Sequence, residues 1–383
     1  MKMKKSLCVI IVFIALLAFS GCSKKELNYT VTEADGIKTY HNKNIPADEK
    51  LEIKIKELFT IDSEDEKLND SSRTINSIYT IHVDYDGNIY VLDNTRSNIK
   101  KFDENGKFIK SIGRKGQGPG EFGFCITAEI MNEEIVCNDY DAQKLVVFDK
   151  DGNFKRNMIM DKGVPQIYEM LNNKKILSNF NFWEVIEDEV YTTTTIILCD
   201  SIFENRNDTL RYVRMKTLRN SEEDYRFNFW GRAVKDDRIY LSRNDINEYL
   251  IDVYDLNGNL LHTISKSYIK VKYTPKEIEG INKFIKDYSG DPEAPNTKLV
   301  YKKSISDLRV DKYDRLWVDS SLAPKKEAEN EEFRGYSFDI FKNGVYQNRI
   351  NIGFPEGYYP AIFRNGKIYA YNKDLSSIKV FDY

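Results

Sequence analysis

Apolar and polar residues alternate in short runs along most of the chain, and the runs recur in a fixed order. The stretch IHVDYDGNIYVLDNTRSNIKKFDENGKFIKSIG at 81–113 holds four such runs separated by turn residues. The same pattern returns in AEIMNEEIVCNDYDAQKLVVFDKDGNFKRNMIM at 128–160 and AVKDDRIYLSRNDINEYLIDVYDLNGNLLHTIS at 233–265. A further copy starts at LRVDKYDRLWVDS and resumes at YSFDIFKNGVYQNRINIG, and the last, AIFRNGKIYAYNKDLSSIKVFDY, ends at Tyr383. A degenerate copy occupies 166–204, recognisable in EMLNNKKILSNF and TIILCDSIF. A period of two is that of a strand with one face packed. The Asp-Gly and Asn-Gly pairs between runs suit tight hairpin turns, which need positive φ. Four short strands in roughly 40–50 residues are the mark of a propeller blade.

The third strand of each copy carries a marker at one position, aromatic in all but one copy: Phe102, Phe148, Cys199, Tyr254, Phe341 and Phe381. Successive gaps are 46, 51, 55, 87 and 40 residues, and only the 87-residue gap is abnormal because it contains two insertions. Six blades follow. The last copy stops after its third strand, while LEIKIKELF at 51–59 alternates and belongs to no copy. It is expected to supply the missing outer strand and clasp the chain ends, leaving no open edge. The expected class is therefore all-β, a six-bladed propeller over 51–383 with a helical insertion at about 268–304 between blades four and five.

GRKGQGPGEF at 113–122 could suggest a phosphate-binding loop, but neither GxGxxG leading into a helix nor GxxxxGK[ST] is present. Pro119 interrupts the glycines and a strand follows, so the loop reads as the crossover from blade one to blade two. HVDYDGNIYVLD, FDENGKFIKSIG and GRKGQGPGEF together resemble NHL-type repeats of six-bladed, TolB-like propellers. The resemblance covers nearly all of 51–383, is strongest in blades one and two and weakest in blade three. It implies the fold. It does not imply chemistry, since propellers host binding modules, lyases and lactonases alike.

The first residues have a different character. Lys2, Lys4 and Lys5 precede an apolar run from Leu7 to Phe19, shorter than the roughly 20 residues of a membrane-spanning helix. That is the anatomy of a secretory signal. The run closes on LAFSGC, which resembles a bacterial lipobox, with Phe19 where Leu is usual. The resemblance implies a signal over 1–21, a lipidated Cys22 and a polar tether over 22–50. The expected location is the bacterial cell envelope, outside the cytoplasm, with the chain held to a membrane through acyl groups.

Composition then narrows the partners. The formal charge is −3, and −6 once the three leading lysines leave with the signal. That argues against nucleic acid, which needs clustered Lys and Arg. Cys125, Cys137 and Cys199 remain after Cys8 and Cys22 are set aside, and they read as small core residues. Only His41, His82 and His262 are available as imidazole ligands, and only His82, on the innermost strand of blade one, is expected to face the channel. Three-histidine zinc ligation is thereby excluded. DYDGN and DKDGN lack the twelfth-position glutamate of an EF-hand, with Thr95 and Met160 there instead. No catalytic residue, metal site or cofactor is assigned.

Strand parity separates two faces. The first and third turns of every blade lie on one, and they are short. The second turns and the crossovers lie on the other, which carries 113–122, 268–304 and 321–335. Binding residues gather on such loops, so Arg114, Tyr268, Lys325 and Arg334 are the candidate binding residues. In the insertion, Thr274-Pro275-Lys276-Glu277 forms a capping box and Gly290 a stop, with Ile278, Ile281, Phe284 and Ile285 on one helical face. The reading is a membrane-anchored binding or scaffolding module for an unknown protein, small-molecule or glycan ligand. Its rival is a channel-centred, divalent-metal-dependent hydrolase of lactonase type.

Overall fold

The middle strands of the repeats, such as IYVLD, EIVCND and KLVVFD, are apolar on both sides because each blade is packed between two others. The computed structural model describes residues 27–62, 74–131, 133–160, 165–187, 189–200, 208–216, 231–243, 245–294, 296–321 and 336–383. Before the first blade come β1 (Tyr29–Ala34), β2 (Ile37–Asn42) and β3 (Lys56–Ile61). Blade one is β4 (Thr80–Val83), β5 (Ile89–Asp93), β6 (Asn98–Phe102) and β7 (Phe108–Ile112). The crossover holds the two-residue strands β8 (Arg114–Lys115) and β9 (Glu121–Phe122). Blade two is β10 (Cys125–Met131), β11 (Glu134–Asp139), β12 (Lys144–Asp149) and β13 (Phe154–Ile159). Blade three is β14 (Gln166–Met170), β15 (Ile176–Ile186), β16 (Glu189–Cys199) and β17 (Asp208–Lys216). Blade four is β18 (Arg232–Lys235), β19 (Arg238–Ser242), β20 (Tyr249–Asp255) and β21 (Leu260–Lys266), followed by α1 (Pro275–Ser289). Blade five is β22 (Ile305–Val310), β23 (Arg315–Ser320), β24 (Tyr336–Lys342) and β25 (Val345–Ile352). Blade six is β26 (Tyr359–Arg364), β27 (Lys367–Asn372) and β28 (Ser377–Asp382), completed by β3.

This is the all-β six-bladed propeller expected, and the first strands β4, β10, β14, β18, β22 and β26 surround the axis. Six apolar clusters fill the gaps between adjacent blades. Tyr90, Leu92 and Ile99 of blade one meet Ile135, Cys137 and Val146 of blade two. Leu177, Ile196 and Leu198 of blade three meet Ile239, Leu241 and Tyr254 of blade four. Each fully buried Val, Leu or Ile contributes about 1.5–3 kcal/mol. All six third-strand markers are buried.

The ring closes as an antiparallel pairing of β28 with β3, from Ile378↔Ile61 to Asp382↔Lys56. The closing strand starts later than 51. Leu51, Ile53 and Ile55 alternate because they lean on the cluster between blades five and six, without strand pairing. Just before them, the amides of Ala47 and Asp48 bond the carbonyls of Tyr346 and Gln347 at 3.2 and 3.0 Å.

Part of the expected tether is folded. β1 and β2 form a hairpin over Asp35-Gly36, both at positive φ, and β2 pairs in parallel with β21, from Lys38↔His262 to Asn42↔Lys266. Blade four thus carries six strands. The buried Asn42 locks the hairpin to blade five: its Nδ2 donates to Ser265 and Gly344 carbonyls at 3.0 and 2.9 Å, and its Oδ1 accepts from the Tyr346 amide at 2.8 Å. Asp35-Gly36 is the same turn signal as in the blades, but a lone hairpin has no repeat to belong to.

Blade three departs from its degenerate reading: β15 and β16 run eleven residues each, and the outer strand lies beyond residue 204. Cys125 and Cys137 are more than small core residues, since they are joined as a disulfide between β10 and β11, while Cys199 is a buried thiol outside it. The insertion helix is capped as expected. The Glu277 amide donates to Thr274 Oγ1 at 3.2 Å, Thr274 N donates to Glu277 Oε2 at 2.8 Å, and Gly290 ends the helix at φ 65°. Its apolar face is only partly covered: Ile285 is buried and Phe284 exposed.

Candidate ligand channel

The innermost strand of each blade is short and mostly apolar, yet each carries a charged or ionisable side chain toward the axis. These are His82 from blade one, Glu129 from two, Glu169 from three, Arg232 from four, Asp307 and Arg309 from five and Arg364 from six. Together they line a cavity of about 280 Å³. A second concavity of about 640 Å³ opens between the short first turns, with Tyr85, Asn172, Asp236, Lys312, Asn365 and Tyr383 at its walls. Glu169, Val234, Val310, Phe363 and Arg364 belong to both, so the two are continuous.

Two of the charge pairs join different blades. His82 Nδ1 lies 2.5 Å from Glu129 Oε2. Burial alone would lower the His82 pKa, but Glu129, by charge and hydrogen bond, and Glu169 outweigh it and hold it above the ordinary value. Burial in turn lifts Glu129 above the usual carboxylate range, against the pull of His82. Glu169 accepts from Arg364 Nη2 at 3.3 and 3.2 Å, and the Arg364 guanidinium stacks 4.8 Å over Tyr85.

Across the axis, Asp307 Oδ2 accepts from Arg309 Nη2 at 3.0 Å and from the Tyr359 hydroxyl at 2.9 Å. Arg309 is 4% exposed and sits among the rings of Tyr359, Phe338 and Phe363 at 5.1–6.0 Å. Its Nε and Nη1 have no hydrogen-bond partner among the described residues. Opposite Asp307 on the next strand, burial pushes Asp319 up to about 6, against the charge of Arg309. Arg232 differs from the other two arginines. Its guanidinium lies 3.5 Å over the Tyr168 ring and forms no ion pair among the described residues.

Three guanidiniums and three carboxylates around one imidazole make a wall of mixed sign. Held in a narrow channel, such groups are oriented before anything binds, which is what selective recognition of a charged or dipolar molecule needs. Among the described residues no group of three or more His, Cys, Asp or Glu comes together as a metal site.

The structure places His82 in the channel wall. Arg114 is exposed but engaged, with its Nε and Nη2 each 2.7 Å from Glu121 Oε1. The Gly118 amide donates to the other Glu121 oxygen at 2.9 Å. The glycine-rich loop therefore wraps a carboxylate of its own, held below its usual range by the Gly118 backbone and Arg114. Tyr268 packs partly on the core between blades four and five, 6.3 Å from the Tyr249 ring. Lys325, Arg334 and Cys22 lie outside the described residues. Sequence reasoning missed Glu129, Glu169, Arg232, Asp307, Arg309 and Arg364. Their signal was a charge set into the first apolar run of each copy, visible only when the copies are stacked in register.

Residues 68–185 match a family described as a 6-bladed beta-propeller. No curated protein matches the chain. Among solved structures, a protein of Bacteroides fragilis NCTC 9343 provisionally described as exported is similar over 90% of this chain and 98% of its own. Its identity is 16% and its TM-score 0.50. The WD40 propeller domain of Doa1 is similar at 11% identity and TM-score 0.37, over 86% of this chain and 97% of that one. Streptogramin B lyase stands at 11% and 0.39, with the same coverage. At such identities the likeness concerns the fold alone.

Proposed function

We propose that the mature chain is a lipid-anchored, extracytoplasmic binding module of NHL-type repeats that takes a charged or dipolar ligand in its axial cavity. The ligand is a small molecule, or a charged group of a protein or glycan partner. The wall of that cavity carries the reading. Its charged groups come from all six blades, they are mostly paired with one another, and the Arg232 guanidinium, whose charge reaches Glu129, forms no ion pair among the described residues. A guanidinium stacked on a ring keeps its edge for a planar anion. The likeness to a protein described as exported and the lipobox-like LAFSGC support placement outside the cytoplasm. The rival metal-dependent hydrolase has no ligand set among the described residues.

Two measurements test this. Cys22→Ala releases the chain from the membrane fraction and removes the acyl mass, and unchanged membrane association overturns the anchor. Thermal unfolding with small carboxylate, phosphate and amino-acid probes tests the cavity, since a ligand that binds only the folded state raises the midpoint. A probe that shifts the wild type leaves Arg232→Ala unmoved. Equal shifts in both mean that binding lies elsewhere.

A further inference from the structure

The N-terminal hairpin determines where an anchor must leave the body. In β1, Tyr29 faces Asn42 of β2, and Asn42 faces Lys266, the last residue of β21. Backbone bonds tie the same end together: Lys43 N to Asn28 O at 2.9 Å and Ser267 N to Asn42 O at 2.8 Å. The start of the folded chain therefore lies two strand spacings, about 10 Å, from the point where the insertion begins. That end of blade four is on the face of crossovers and second turns. Only five Cα-to-Cα steps separate Cys22 from Leu27. Fully extended, they span at most about 18 Å. That is less than the roughly 22 Å length of α1, so an anchored body has little room to turn away from the bilayer.

The surface beside this exit has the chemistry of a membrane interface. The insertion enters and leaves as a narrow ribbon, with Lys272 bridged to Tyr301, Tyr273 N bonded to Val300 O at 3.1 Å and Lys302 N to Val271 O at 2.8 Å. Its two segments, YIKVKY at 268–273 and TKLVYKKS at 297–304, hold five lysines and no acid. Ile269 is 82% exposed and Val300 53%. Lys270 and Lys272 lie over the Tyr301 ring at 5.3 and 5.9 Å, and Lys302 over Tyr273 at 5.6 Å. Lysine, tyrosine and exposed aliphatic side chains on one element suit a bilayer surface with anionic headgroups. The acids of the insertion lie on and just after α1, at Glu277, Glu279, Asp287, Asp291 and Glu293; of these, Glu277 pairs with Lys302 of the ribbon.

We propose that the 268–273/297–304 ribbon is the surface on which the propeller rests on an anionic bilayer, so that its short-turn face and the 640 Å³ concavity point away into the aqueous compartment. This rests on the lipidated-Cys22 reading, and the experiment separates the two. The full lipidated chain is bound to vesicles of phosphatidylethanolamine and phosphatidylglycerol with brominated acyl chains. A fluorophore is carried at Val300→Cys or, on the opposite face, at Tyr313→Cys. Cys125 and Cys137 are bridged and Cys199 is buried, so neither site competes for the label. The expected result is loss of fluorescence at 300 and none at 313. Ile269→Glu with Lys272→Glu still floats with the vesicles but regains the fluorescence at 300. An acylated, floating chain in which both labels are quenched alike, or only that at 313, overturns the orientation while the anchor stands. Quenching at 300 that survives the double substitution overturns the ribbon as the contact. A chain without acyl mass that fails to float overturns the anchor, and the orientation with it.

Discussion

The N-terminal segment adds strands to the propeller twice, at blade six and at blade four, and the two additions differ in kind. β3 fills a position that every blade needs, since without it blade six has three strands and an open edge. The β1–β2 hairpin extends a blade that already has four. Yet both meet the next blade in the same way. A β-carbon placed on Gly106, in the third turn of blade one, would lie 2.7 Å from the Phe59 ring of β3. One placed on Gly344, in the third turn of blade five, would lie 2.8 Å from the Tyr40 ring of β2. Elsewhere the third-turn glycines meet a fourth strand in this role, as Gly152 meets Ile112 and Gly258 meets Leu210. At the seam between blades four and five, β2 has taken over the contact that an outer strand makes at the seams six–one, one–two and three–four.

Deletion separates necessity from extension most sharply. Removing 51–61 exposes the edge of β28 and opens the ring, and the expected outcome is aggregation and loss of a single cooperative transition in thermal or urea unfolding. Removing 27–43 uncovers β21, and the expected outcome is one transition at a lower midpoint. If both truncations melt alike, the distinction between the two additions fails.

A smaller effect tests whether the seams are packed by the same rule. Gly106 and Gly344 have φ of +82° and +80°. Alanine at either position carries about 1–2 kcal/mol of left-handed backbone strain, and contact with the ring beyond it adds to that. Gly344→Ala is expected to lose this added part when the hairpin is deleted in the same chain, whereas an unchanged loss in urea unfolding would show that Tyr40 gives way freely.

The smallest effect lies on the inner wall, where a titrating pair rather than shape joins blades one and two. Folded Glu129 is raised above 4.5 by burial, and folded His82 above 6.5 because Glu129 outweighs burial. Both bind protons more tightly when folded, so each contribution is full below its ordinary value and is lost as pH rises through the folded pKa. Stability should therefore decline as pH rises, with the His82 part falling above 6.5. His82→Gln should flatten that part in urea unfolding between about pH 5 and about pH 8. An unchanged slope would show that the pair does not titrate as its surroundings imply.

What could be read from the sequence was what repeats locally. Period-two runs, Asp-Gly and Asn-Gly turns and one marker residue per third strand are all contained within some forty residues, so blade number, strand order and the need for a donated strand followed from the chain alone. The insertion helix was legible for the same reason, because its cap is four consecutive residues. The exact start of the closing strand was not, since Leu51, Ile53 and Ile55 alternate against the side of a blade as they would within a sheet.

Only the closed ring decided the rest. His82, Glu129, Glu169 and Arg364 are spread over more than 280 positions, yet they share one cavity because six first strands converge on an axis. The hairpin at 29–42 has an ordinary turn signal, but nothing in its own pattern names β21 as its parallel partner. Period and turn chemistry act along the chain, whereas these contacts act across it. They exist only once backbone closure has brought distant blades side by side.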